Sequence, residues 1–190
     1  MFIDDIQVLV CPDTHSSLDY QGTNLEMRLE DGALICPETA TAWAVERGIP
    51  RLYRDETITP LDKRYRALYD RLPRLHDPAV RWTLPLFQTG GTESDVRAEA
   101  IQRMHLQELR TNDGPRRVLE VGVGTGANLP LLRAANPDPR VQLWGVDLSA
   151  GMLAQAKARC TRKLAETRLL LADAHALPFP DHCFDRVLQV

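Results

Sequence analysis

Apolar and polar positions follow two different rhythms along this chain, and the change between them divides it. Between Gln7 and Tyr53, short apolar segments at residues 8–10, 25–29, 33–35 and 42–45 alternate with "PDTH", "QGTN", "EDG" and "ERGIP". Gly and Pro at such intervals end strands, so residues 1–53 are expected to form a small antiparallel β domain. "YRDETITP" is polar, ends in Pro60 and reads as a linker. Beyond it the apolar spacing becomes helical: Leu61, Tyr65, Leu68, Tyr69 and Leu72 share one stripe, and Val96, Ala100, Met104 and Leu109 share another. Thr92 with Asp95 fits a capping box, and "NDG" at 112–114 fits a helix stop. Residues 54–115 are therefore read as a linker and two helices.

From Arg117 the pattern changes again. "RVLEVG", "VQLWGVD", "RLLLADA" and "FDRVLQV" are continuous apolar runs, and the first three are separated by "ANLPLLRAA" and by "SAGMLAQAKARC", which keeps Met152, Leu153, Ala156 and Cys160 on one stripe. Strands that are apolar on both sides and joined by helices predict a parallel sheet covered on both faces. The expected fold class is α/β, a doubly wound, Rossmann-like sheet over 116–190, whose ligand belongs at the carboxyl ends of the strands.

Composition narrows the setting. The chain has 190 residues, enough for one good core and a small appendage. Its 23 basic and 26 acidic residues leave a net charge of −3, which supplies no electrostatic footprint for nucleic acid or membrane. The 4 cysteines, at 11, 36, 160 and 183, are too scattered for a disulfide framework. "MFIDDIQVLV" lacks the features of a signal peptide, and no apolar run reaches the ~18 residues of a membrane span. A reducing, cytoplasmic setting is expected.

Candidate chemistry concentrates in "VLEVGVGTG", residues 118–126. Gly122, Gly124 and Ala127 satisfy the dinucleotide fingerprint, and Asp147 stands where a ribose-binding acid belongs. A pyrophosphate at this turn, however, disfavours a neighbouring carboxylate, and Glu120 is one. S-adenosylmethionine brings an ammonium and a sulfonium instead, both of which suit Glu120. Asp173 with Ala174, after the third apolar run, adds a third acid able to accept from an adenine amino group. One acid thus follows each of three successive strands: Glu120, Asp147 and Asp173. His175 and His182 lie in polar loops and are read as solvated, Cys160 as a core residue, and the Tyr65–Tyr69 pair as helix packing.

These residues resemble class I S-adenosylmethionine-dependent methyltransferases, particularly the branch of quinone and menaquinone C-methyltransferases. "VLEVGVGTG", "VDLSAGML" and "ADAHALPFPDHCFDRV" are similar to three motifs of that family in order. The resemblance implies cofactor contacts by Glu120, Gly122, Gly124, Gly126, Asp147, Leu148, Met152, Asp173 and Ala174, by Gln189 in the fourth strand, and by Tyr69, which is similar to an amino-terminal tyrosine of some members. The amino-terminal unit resembles the zinc-ribbon-like Trm112p-like domain. Its knuckles are degenerate: Cys11 and Cys36 begin them, but Thr14 and Thr39 stand in the second positions and His15 is one residue out of register. A metal-free β unit is expected.

The chain stops at Val190 inside the fourth apolar run, so it reads as an amino-terminal fragment or as a sheet whose fourth-strand edge a second copy or a partner covers. The resemblance implies methyl transfer to a small molecule, such as an aromatic or quinone-like ring, with no general base assigned. An RNA base methyltransferase and a non-catalytic cofactor-binding or partner-stabilising protein remain as alternatives.

Overall fold

The four apolar runs after residue 115 become strands because a buried backbone must pair its N–H and C=O groups, and parallel neighbours do so here. In the computed structural model, which describes residues 1–71, 93–163 and 166–189, these are β5 (Arg116–Val121), β6 (Val141–Asp147), β7 (Arg168–Ala172) and β8 (Arg186–Gln189). Glu120 pairs with Gly145 of β6 on one side and with Leu188 of β8 on the other. The chain therefore moves from β5 through β6 to β7 and then returns to the opposite flank of β5. That reversal leaves a crevice at the carboxyl end of β5, where ligands of open α/β sheets bind.

The amino-terminal residues continue the same sheet. β1 (Asp19–Leu25), β2 (Arg28–Ile35), β3 (Ala42–Glu46) and β4 (Ile49–Leu52) form an antiparallel meander, and β4 then pairs in parallel with β7 through Arg51↔Leu171 and Leu52↔Ala172. The order is β1-β2-β3-β4-β7-β6-β5-β8. Side chains on the sheet alternate between two cores. Leu119, Val121, Trp144, Val146 and Leu170 face Ile6, Leu9, Leu29 and Phe179, whereas Val118, Leu143, Leu169 and Leu188 face the helical layer. Both faces are covered, one by the amino-terminal segment and the loop carrying Phe179 and Phe184. Trp144 meets these two rings edge-on at 5.9 Å each.

The helices are α1 (Pro60–Arg71), α2 (Glu93–Arg103), α3 (Leu129–Ala135) and α4 (Ala150–Lys163). Several elements differ from the sequence pattern for identifiable reasons. Residues 25–29 straddle a hairpin turn, with Glu26 and Met27 at φ 50° and 64°, rather than a strand. β1 shows no apolar alternation because most of it is exposed. Of residues 8–10, Val8 ends a 3-10 segment, Ile3–Val8, that the Asp5 carboxylate anchors by accepting from Phe2 N at 2.8 Å, and the other two follow it outside any strand. α2 stops at Arg103, because His105 takes a left-handed conformation and only a short 3-10 turn, Leu106–Glu108, follows. Thr92 of the capping box and Leu72 of the first stripe lie outside the described residues.

Asp5 also locks the amino-terminal segment to the sheet. The Arg168 Nε donates to both of its carboxylate oxygens at 3.1 Å, and the two side chains are only 6% and 8% exposed. Removing one partner of a pair so buried leaves an uncompensated charge, whereas replacing both leaves none. Asp5→Ala is therefore expected to lower the unfolding free energy by about 3 kcal/mol, and Asp5→Leu combined with Arg168→Met by much less. Urea melts of the two variants check this; equal losses would reduce the pair to ordinary packing.

Both knuckle cysteines are fully buried. The Cys36 sulfur lies 3.3 Å from Ser16 Oγ and 3.5 Å from Thr14 Oγ1, and hydrogen bonds from Ser16, Thr39 and Thr14 draw its thiol below the ordinary value. Hydroxyls thus occupy the surroundings that second cysteines would supply. Protein purified without chelator is expected to carry no stoichiometric zinc by elemental analysis. About one zinc per chain, with unfolding on chelation, would contradict that expectation.

Candidate functional site

β5 ends in the glycine turn, and the backbone there is shaped by where each glycine must go. Gly122 and Gly124 hold φ of 73° and 53°, which side-chain-bearing residues rarely adopt. A Cβ on Gly122 would meet nothing within 4 Å, and one on Gly124 only the Gly122 carbonyl at 3.9 Å, so both glycines leave open space in front of the turn. Gly126 is different. Its Cβ would lie 2.9 Å from Leu129 Cδ1 and 3.2 Å from the Ala156 Cβ, so this glycine lets α3 and α4 approach and does not line the cleft.

Four of the turn's N–H groups are committed internally. Gly122 and Val123 both donate to the Val146 carbonyl at 2.9 Å, Gly124 donates to Asp147 Oδ2 at 2.8 Å, and Gly126 donates to the Val123 carbonyl at 2.9 Å. A pyrophosphate would need such donors turned outward. This turn instead presents carboxylates. Asp147, at the end of β6, also accepts from Ser149 N at 2.8 Å, which fixes its orientation.

Glu120 is only 3% exposed. Its Oε1 accepts from Asn128 Nδ2 at 2.7 Å, and Asn128 Oδ1 in turn accepts from Arg97 Nη1 of α2 at 2.7 Å. Its Oε2 is buried and has no hydrogen-bond partner among the described residues. Burial pushes the carboxyl up from 4.5 to about 7, against the downward pull of Asn128 and Arg97, while Asp147 adds to the rise. A carboxylate in that position needs a cation or a hydrogen-bond donor to complete it.

A cavity of about 350 Å³ opens over this turn. Of the residues singled out in the sequence, Tyr69, Glu120, Gly122, Gly124, Asp147, Leu148, Met152, Asp173 and Ala174 line it together. Gln189 does not; it lies exposed in the edge strand β8, paired with Val121. Sequence reasoning missed four contributors. Arg97 and Asn128 form the relay behind Glu120, and Arg66 enters from α1, its guanidinium held by Asp55 Oδ1 at 2.5 Å and the Tyr53 hydroxyl at 3.1 Å. His175 was read as solvated, and it is exposed, yet it lines the cleft with Nδ1 2.9 Å from Asp173 Oδ1, a contact that raises its pKa. Tyr65 and Tyr69 stack at 6.2 Å and both line the cleft.

Comparison with known proteins shows what part of this arrangement is similar to. The family described as "Methyltransferase domain" matches residues 118–190. This segment is similar to a methyltransferase domain. The chain is 38% identical over 85 residues to a demethylmenaquinone methyltransferase of Thermus thermophilus, which spans 45% of this chain and 38% of that protein. It is 36% identical over 112 residues to a phosphatidylethanolamine N-methyltransferase of Cereibacter sphaeroides, 58% of this chain and 49% of that protein. It is 42% identical over 76 residues to a malonyl-acyl-carrier-protein O-methyltransferase of Halorhodospira halophila, 40% of this chain and 24% of that protein. The chain thus spans less than half the length of each of these relatives. A solved complex of the Haloferax volcanii Trm112 methyltransferase activator with a methyltransferase aligns over 65% of this chain and 46% of that chain, with a TM-score of 0.42 and 22% identity. No helix among the described residues is long and apolar enough to cross a membrane, and among them no group of three or more His, Cys, Asp or Glu is placed to hold a metal.

S-adenosylmethionine, the cofactor of such domains, fits the residues present. The unpartnered Glu120 Oε2 suits its cationic end, the open space before Gly122 and Gly124 admits it closely, and Asp147 and Asp173 offer acceptors farther along the sheet edge.

The raised pKa of Glu120 has a defined sign. Between pH 4.5 and about 7 the folded protein keeps this carboxyl protonated while the unfolded chain does not, so its contribution to stability is lost as pH rises through that window. Glu120→Gln is therefore expected to melt later than the parent at pH 8, by about 2 kcal/mol, with the gap closing toward pH 4.5. A variant less stable at both pH values would contradict this account.

Proposed function

We propose that this chain binds S-adenosylmethionine in the β5–β6–β7 cleft and forms the donor-binding part of an enzyme that methylates a small molecule, with an aromatic or quinone-like ring as the acceptor. The observation that carries the reading is the buried Glu120 oxygen, unpartnered among the described residues, behind a glycine turn that uses the N–H groups of Gly122, Val123, Gly124 and Gly126 internally. The acceptor class is supported by the resemblance to quinone methyltransferases and by the name of the Thermus thermophilus relative.

When bound, the sulfonium supplies an electrophilic methyl carbon. The protein's contribution is to hold and orient. Glu120, fixed through Asn128 and Arg97, takes the methionyl ammonium; Asp147 takes the ribose hydroxyls; Asp173 and the Ala174 N–H take the adenine; Met152, only 2% exposed, packs against its ring. Tyr65 and Tyr69 cover the cleft from α1 and exclude water. Holding the donor in one pose lowers the barrier by orientation rather than by acid–base chemistry.

Calorimetry of this chain should show saturable binding of S-adenosylhomocysteine and none of NAD. The reverse result would sink the proposal. Asp147→Ala is expected to weaken that binding by about 1.5–3 kcal/mol while leaving the chain folded, and unchanged affinity in a folded variant would confine Asp147 to its contacts with Gly124 and Ser149.

A further inference from the structure

Helix α1 contributes four side chains to the cleft, Asp62, Tyr65, Arg66 and Tyr69, yet none of its residues is buried. A helix with so little packing is held mainly by its polar contacts. Two of them reach distant parts of the chain. In its middle, Arg66 reaches Asp55 and Tyr53 just beyond β4. Near its carboxyl end, Asp70 Oδ1 accepts from Ser149 Oγ at 2.6 Å and from Gly151 N at 3.0 Å. Asp70 therefore caps α4 from a different helix, 79 residues away from Ser149 in sequence, and its negative charge meets the positive end of the α4 dipole. Just before that turn β6 ends in Asp147, whose Oδ1 accepts from Ser149 N. The close approach is built into the sequence: a Cβ on Gly151 would lie 2.9 Å from Asp70 Cα and 3.1 Å from the Tyr69 carbonyl.

We propose that α1 is a lid over the bound cofactor and that Asp70 is the positioning residue that keeps it closed against the Ser149–Gly151 turn. Asp70 does not line the cleft; it acts through Tyr65 and Tyr69, which it holds over the ligand, and through Ser149, which orients Asp147. The inference rests on S-adenosylmethionine being the ligand of the cleft.

The dissociation rate of S-adenosylhomocysteine from the full chain tests it, with thermal melting measured in parallel. Asp70→Ala is expected to release the ligand about fivefold faster, as loss of a helix cap would produce, and Asp70→Asn to fall between the two, because its amide oxygen still accepts. Gly151→Ala decides the case if Asp70→Ala fails to fold. A purely structural role predicts a lower melting temperature, because the new Cβ meets the Asp70 backbone at 2.9 Å, together with an unchanged dissociation rate. The lid predicts faster release at temperatures well below melting, whether or not the melting temperature falls, because the new Cβ pushes α1 outward. Parent-like dissociation from Gly151→Ala would overturn the proposal. Absence of any binding by the parent would instead remove the cofactor reading on which it stands.

Discussion

A carboxyl group held at 3% exposure with one oxygen lacking a partner is a costly thing to fold, and the arrangement around Glu120 is organised by that cost. β5 lies between β6 and β8, so the end of the strand is surrounded by backbone already paired on both sides. Asn128 satisfies one oxygen and is itself held by Arg97 from α2, which ties a helix outside the sheet to the glycine turn. Nothing among the described residues satisfies the other oxygen. The turn beyond it compounds the effect, since its donors are spent on Val146, Asp147 and Val123. What remains in front of Gly122 is space, acceptor oxygens and a missing positive charge, a set that suits a cationic ligand and disfavours a pyrophosphate.

The amino-terminal residues matter to this site more than their position in the sequence suggests. Leu52 is fully buried where β4 meets β7, and burying such a side chain contributes about 1.5–3 kcal/mol to the junction. Tyr53 and Asp55 follow directly and grip Arg66 of α1. The amino-terminal residues thus extend the sheet, cover one face of it through Ile6, Leu9 and Leu29, and supply the post from which α1 crosses to the Ser149–Gly151 turn. Fold and site are joined through that path.

Much of the parallel sheet was legible because its strands are continuous apolar runs and its acids stand one after each run. Glu120, Asp147 and Asp173 could be placed by counting from strand ends, and the cleft brings them together. Gly126 shows where counting stops: it belongs to the same glycine pattern, but its close neighbours are Leu129 and Ala156, and only the tertiary packing reveals that. Asn128, Arg97 and Asp70 were invisible for a related reason. Each acts on a partner from another element, and an Asp in an exposed helix gives no local sign that it caps a helix elsewhere. The β4–β7 pairing was hidden too, because "IPRL" is short and its partner lies more than a hundred residues away. The hairpin at residues 25–29 misled the apolar pattern, since exposed Leu25 and Met27 sit at its tip, where no core selects them.

The unsatisfied oxygen of Glu120 can be measured through its proton. If this carboxyl titrates near 7 in the empty protein and is completed by a cationic ligand, then binding must expel the proton it carries. Calorimetric titration with S-adenosylhomocysteine in buffers of different ionisation enthalpy counts protons released. The account predicts release that approaches about one proton near pH 6, falls to roughly half near pH 7, vanishes above about pH 8.5 and is absent in Glu120→Gln. Tight binding with no proton released between about pH 6 and 7.5 would contradict it.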